Sequence, residues 1–182
     1  MAETLTSLDD LIAAIPDYGK DIRLNLSSVL TTEGATDLQD HQIAAIALAS
    51  AYATRNHELI SAIKGHLRDK IDEAHVNAAK AAATIMSMNN VYYRFTHLVE
   101  DEELTKMPAR LRMTIIGNPG IAKTDFELMS LAVSAINGCG KCMQAHAHEI
   151  EKQGVTKTAV QSAVRIASVI SATAQALFLA QY

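Results

Sequence analysis

The sequence predicts an all-α fold, and three observations carry that expectation. No long alternating run rich in Val, Tyr and Thr and bounded by turns appears, so strand signals are absent. Alanine, leucine, methionine and glutamate dominate instead, and these residues favour helix. Pro16, Pro108 and Pro119, with Gly34, Gly117 and Gly120, punctuate the joints between helical pieces.

Helices are expected at 7–15 and 17–31, divided by Pro16, and at 38–54 beyond the turn that Gly34 marks. Two more follow at 56–69 and 73–98, the second carrying most of the alanine-rich run IDEAHVNAAKAAATIMS (71–87). A further helix at 107–116 is bracketed by Pro108 and by Gly117, Pro119 and Gly120. The helix at 124–137 opens on Thr124, Asp125 and Glu127, a Thr-x-x-Glu capping box. Asn137-Gly138 ends it, because both residues tolerate left-handed backbone angles. The last two helices span 141–153 and 156–180; the second is the most apolar long stretch, yet Arg165 and several Gln and Ser residues mark it as a core helix rather than a membrane span.

At 182 residues the chain suits one domain with a sizeable core. A faint internal repeat organises it into two units at about 38–98 and 122–182, each a helical hairpin followed by a long alanine-rich helix. In that register Asn56 and Leu59 stand where Cys139 and Cys142 stand in the second copy, Ile63 where His146 stands, and Ala44 where Glu127 stands. Only the second copy carries the chemistry.

Several function classes are disfavoured by composition. A formal charge of −4 leaves no basic surface to neutralise phosphates, which argues against nucleic-acid binding and against an anionic membrane. The start, MAETLTSLDD, lacks the basic and apolar regions of a secretion signal, so a cytoplasmic location is expected. In a reducing cytosol, two cysteines are better suited to catalysis or metal binding than to a merely structural disulfide.

Both cysteines fall in NGCGKCMQAHAH (137–148). Cys139 lies at or just before the first turn of its helix, where unpaired N–H groups and the positive dipole end favour a thiolate. Lys141 adds a nearby positive charge. Cys142 and His146 are four apart and share a helix face, about 5–6 Å apart at Cβ, so the imidazole can take the thiol proton directly or through one water. His148 points to a different side. With the chain folded back at Gly138, Glu127, eleven residues before it, passes beside the level of His146 and Glu149. A carboxylate there can orient the imidazole; Glu127 also serves the capping box. Three readings stand at this point. A redox pair uses Cys139 and Cys142 with His146 as base. A zinc site takes Cys139, Cys142, His146 and either Glu127 or His148. Two small buried residues with an outward histidine would carry no chemistry at all.

The stretch from Glu127 through AINGCGKCMQAHAHE, on an all-α duplicated layout, resembles the alkyl hydroperoxidase D (AhpD) family within the carboxymuconolactone decarboxylase-like superfamily. The likeness covers most of the chain and rests on the Glu-x11-Cys-x-x-Cys-x3-His spacing. It implies a homotrimeric antioxidant enzyme that reduces alkyl hydroperoxides with no tightly bound cofactor or metal. It also implies a dihydrolipoyl group on a 2-oxoacid dehydrogenase component as electron donor and an AhpC-type peroxiredoxin as partner. Carried over, Cys142 is the peroxidatic cysteine, Cys139 completes the disulfide and donates a proton, and His146 with Glu127 deprotonates Cys142. Some members have histidine between the cysteines; this chain has Lys141, a departure that leaves a proton-transfer role at this position open, while a cation there still stabilises a thiolate. Two other functions remain alongside: a carboxymuconolactone decarboxylase-like enzyme with incidental cysteines, and a non-enzymatic disulfide adaptor for a peroxiredoxin.

Overall fold

The computed structural model describes residues 5–182; the first four residues of the acidic start, part of the stretch read above for a secretion signal, lie outside the described residues. In order come α1 (Leu8–Ala14), a 3-10 turn (Asp17–Gly19), α2 (Lys20–Val29), α3 (Asp40–Thr54), α4 (His57–His66) and α5 (Glu73–Leu98). Then follow α6 (Glu102–Lys106), α7 (Thr114–Gly117), α8 (Lys123–Ile136), α9 (Gly140–Lys152) and α10 (Lys157–Leu179). The described residues contain no strand, as expected.

Local chemistry starts most of these helices. Ser7, Asn56, Asp72, Asp101 and Thr156 each accept a backbone N–H from the first turn of the helix that follows. At the start of α3 the Gln39 N–H donates to Gln42 Oε1 at 3.0 Å.

Packing then sorts the helices by how much of their surface is apolar. α3 is buried without interruption from Ile43 to Ala51, and α8 from Asp125 to Ser134. Helices covered on every side belong in the interior, and these two pack against each other at the centre. The long helices α5 and α10 each contact both of them, while α2 lies on α10, α1 on α4, and α9 on α8 and α5. α10 is long and apolar enough to cross a membrane by length and composition alone. Its buried residues Ala159, Ala163, Ile166, Ile170, Thr173 and Leu177 nevertheless recur at helical spacing and form one core-facing stripe.

Two expected helices differ from what the sequence suggests. The segment 17–31 begins as a 3-10 turn rather than α-helix, with Gly19 so close to Ile15 that a Cβ there would lie 2.4 Å from the Ile15 side chain. The helix expected at 107–116 is not formed. Helix instead occupies Glu102–Lys106, started by Asp101, and Thr114–Gly117, and residues 107–113 between them are irregular. Pro108 has no N–H to give a helix and biases Met107 toward extended backbone, and Arg110 takes a positive φ of 52°.

α8 and α9 are clasped at their outer ends. Lys123 Nζ donates to Glu149 Oε1 at 2.7 Å, and the Thr124 hydroxyl donates to Gln153 Oε1. The hydrogen bond from Lys123 holds the Glu149 carboxyl below its ordinary range, and the same bond raises Lys123, with the charge of Glu127 adding to it.

Two outcomes test this account. Ile46→Ala, at a fully buried position of α3, costs about 2–5 kcal/mol in urea unfolding because the surrounding helices cannot collapse onto the void. The clasp gives a pH signature. Glu149, depressed in the fold, contributes stability that is present above its unfolded pKa and is lost as pH falls through the folded value. Lys123, raised, contributes below its unfolded pKa and loses that contribution as pH rises through the folded value. Glu149→Gln should therefore lower the thermal midpoint near neutral pH, and the deficit should vanish in acid below the carboxylate range and in high salt.

Candidate functional site

The site begins with the turn between α8 and α9. Gly138 takes φ +70°, Cys139 N–H bonds to Ser134 O at 3.1 Å, and Gly138 N–H bonds to Ala135 O at 3.2 Å. This pair of bonds is the Schellman pattern, which needs a left-handed residue just past the helix end. Asn137, which was expected to share that role, stays right-handed at φ −80°. It is tied down instead by α5. Arg94 Nη1 donates to Asn137 O at 2.6 Å, Asn137 Nδ2 donates to Asn90 Oδ1 at 2.9 Å, and Asn90 Nδ2 donates to Ser134 Oγ at 2.9 Å.

The turn delivers Cys139 to the N-cap position of α9, where its Sγ accepts the Cys142 N–H at 3.3 Å. Cys139 and Cys142 are joined as a disulfide across a Cα separation of 5.3 Å, and both are buried. No thiolate is available to a metal in this form. A sulfur at this position that becomes a thiolate on reduction faces the positive end of α9. Lys141 Nζ lies over the Tyr93 ring, 5.6 Å from its centroid.

One turn beyond Cys142, His146 is buried, and its Nδ1 lies 2.6 Å from Glu127 Oε2. An ionised carboxylate only accepts, so it places the imidazole proton on Nδ1 and leaves Nε2 as the free nitrogen. That Nε2 points toward Met86 Sδ at 3.3 Å. The antiparallel hairpin thus brings Glu127 beside His146, while His148 is exposed on the other side of α9. The capping box expected of Thr124 and Glu127 does not form. α8 starts one residue earlier, at Lys123, with no side-chain cap, so Thr124 already sits in the first turn and bonds across to α9. Glu127 is left free for the histidine.

Cys142 and His146 form one wall of a cavity of about 220 Å³. Met86, Asn89 and Tyr93 of α5 form another, and Met113 and Ile116 from the irregular segment and α7 close over it. The lining is largely apolar, although Lys141 also borders it; the Asn89 side chain is buried, and its Oδ1 has no hydrogen-bond partner. The α5 residues were not singled out from sequence, although Asn89-Asn90, a polar pair inside a long apolar helix, is a signal that could have found them. A larger groove of about 670 Å³ runs along α4 and the start of α5, lined by His57, Lys64 and Arg68, and holds neither cysteine.

Comparison with known proteins places the chain among its relatives. Residues 102–182, which contain the whole α8–α9 hairpin, match the family model described as the carboxymuconolactone decarboxylase family. The chain is 54% identical to the alkyl hydroperoxide reductase AhpD of Coxiella burnetii over 161 residues, covering 88% of this chain and 91% of that protein. It is 53% identical to the protein of the same name from Hyphomonas neptunium over 171 residues, covering 94% of this chain and 93% of that one. With the AhpD of Brucella canis it shares 51% identity, covering 94% and 96% of the two chains. An all-helical body, a buried Cys-x-x-Cys disulfide at a helix start and likeness of this extent lead to one conclusion: the chain belongs to the AhpD family.

Proposed function

We propose that this chain is a thiol-dependent alkyl hydroperoxide reductase, an antioxidant oxidoreductase whose working parts are Cys139, Cys142, His146 and Glu127. The observation that carries the reading is the buried disulfide whose Cys142 shares an apolar cavity with a histidine backed by a carboxylate. The names of the relatives point the same way.

In the dithiol form, Glu127 keeps the His146 proton on Nδ1, and Nε2 draws the proton from Cys142 through a bridging water. The Cys142 thiolate attacks the distal oxygen of ROOH; the O–O bond breaks, sulfur is oxidised to a sulfenic acid, and the alkoxide leaves as ROH with a proton from the Cys139 thiol or the imidazolium. Cys139 then attacks the Cys142 sulfur, the S–S bond forms, and water departs. Two thiols and ROOH thus become a disulfide, ROH and H2O. The lining of Met86, Tyr93, Met113 and Ile116 suits an alkyl group. Cys142 lines the cavity and Cys139 lies behind it, which supports Cys142 as the sulfur that meets peroxide.

Resetting the pair needs an external dithiol, which exchanges through a mixed disulfide. A dihydrolipoyl group carried by a 2-oxoacid dehydrogenase component fills that role, an AhpC-type peroxiredoxin is the partner reduced in turn, and no tightly bound cofactor is required. A cytoplasmic location suits this cycle. We assign a homotrimer to the assembly, supported by exposed Val91, Phe95 and Leu98, which fall on one face of α5 at helical spacing. We also read the single 1–182 domain as a duplication of units at 38–98 and 122–182. Asn56 caps α4 as Cys139 caps α9, and each follows a left-handed residue, Arg55 at φ 60° and Gly138 at φ 70°. Ala44, Leu59 and Ile63 are buried and apolar where the second unit has Glu127, Cys142 and His146.

Turnover of an organic hydroperoxide with dihydrolipoamide is the test. Cys142→Ser abolishes it, and His146→Phe and Glu127→Gln lower it roughly 10²–10⁴-fold; full activity in Cys142→Ser would remove the mechanism. Peroxide consumption with no peroxiredoxin present separates the enzyme from an adaptor, and a redox-active disulfide separates it from a lactone decarboxylase. For the assembly, light scattering should give a trimer that Phe95→Asp converts to monomer.

A further inference from the structure

At the end of α8 away from the Gly138 turn lies a second cluster that the redox chemistry does not use. Asp125 is 5% exposed and faces inward. Its Oδ2 lies 3.2 Å from His41 Nε2 on α3 and 3.5 Å from His75 Nε2 on α5. The three donor atoms lie within 4.8 Å of one another.

We propose that His41, His75 and Asp125 form a binding site for a divalent metal ion of borderline softness, with Zn²⁺ as the preferred ion. The first argument is spacing. Ligand atoms about 2.0–2.1 Å from a tetrahedral zinc are about 3.3–3.4 Å apart, and the two separations to Asp125, 3.2 and 3.5 Å, bracket that figure. The second is the outer partners, which are independent of it. His75 Nδ1 lies 2.7 Å from Asp72 Oδ1, so its proton sits on Nδ1 and Nε2 is presented toward Asp125. Asp125 Oδ1 accepts from Gln42 Nε2 at 2.7 Å, and Gln42 is itself fixed by the Gln39 N–H. Carboxylates behind histidines and hydrogen bonds behind carboxylates are the usual supports of metal ligands. The third is electrostatic. With its proton held on Nδ1, His75 turns a bare Nε2 lone pair toward Asp125 Oδ2 at 3.5 Å, a repulsive contact that a cation relieves, a proton being the competitor of a metal; His41 Nε2 reaches the same oxygen either as a neutral N–H donor or as a ligand to that cation.

Two imidazoles with one carboxylate suit zinc better than magnesium or calcium, which take all-oxygen sets. Half-exposed His41 leaves a fourth position open to water. The ion would join α3, the first turn of α5 and α8, helices already packed against one another through the core.

The disulfide form of the protein, in which the cysteines cannot ligate, is titrated with Zn²⁺ by calorimetry and with Co²⁺ by visible absorption. One equivalent should bind per chain, with a tetrahedral cobalt spectrum free of sulfur charge transfer and a thermal midpoint raised by zinc. His41→Ala and His75→Ala should each abolish saturation, Asp72→Asn should weaken it about 10–100-fold, and the Cys139→Ser/Cys142→Ser double variant should bind as the parent does. No saturable binding by the parent up to millimolar metal overturns the proposal and leaves protons as the occupants. Binding that survives both histidine variants, or that is lost in the cysteine variant, overturns it as well.

Discussion

A carboxylate and an imidazole 2.6 Å apart inside an otherwise apolar body, Glu127 against His146, set the register on which the remaining geometry depends. The carboxylate could not be buried ionised and alone, because an unpaired charge in the interior costs several kcal/mol. The pair therefore allows α8 and α9 one relative position. A slide by a residue or a turn would leave each group without its partner. The Schellman turn at Gly138 provides that position, and the outer contacts of Lys123 and Thr124 brace it from the open end of the hairpin.

α5 supplies what the hairpin lacks. Asn89 and Asn90 each stand three or four residues from both Met86 and Tyr93, so the four form one stripe along a 26-residue helix. Each reaches the hairpin at a different height: Met86 at the histidine, Asn89 at Cys142, and Asn90 at Ser134 and the turn. One rigid rod thereby sets the position of sulfur, imidazole and turn together, which is the precision a chemical step demands of its surroundings.

How much of this was legible in the sequence depended on whether a feature was local. The helices with strong composition and chemical punctuation were readable: α5 spans Glu73–Leu98 as expected, and α9 and α10 differ only at their ends. The pairing of Glu127 with His146 was also readable, because an antiparallel hairpin about a single glycine reduces to counting residues. The segment around Pro108 was not. Its apolar residues look helical one by one, yet proline and the left-handed Arg110 break the backbone, and tertiary packing uses Met113 and Ile116 to cover the cavity. The apparent capping box at Thr124 misled for a related reason. A start signal competes with partners distant in sequence, here Gln153 and His146, and those partners won. The stripe on α5 was hidden because neutral amides and a methionine have no distinctive spacing until a neighbouring helix gives them something to face.

The sulfur of Cys139 closes one end of a helix as well as one end of a covalent bridge. A thioether-like sulfur in a disulfide and a thiolate both keep a lone pair for the Cys142 amide, so the hydrogen bond can persist whichever way the electrons have moved. Opening the bridge then need not unwind α9, and the backbone can stay still through each round trip. Small reorganisation is what permits a pair of atoms to be discharged and recharged repeatedly inside a tightly packed interior.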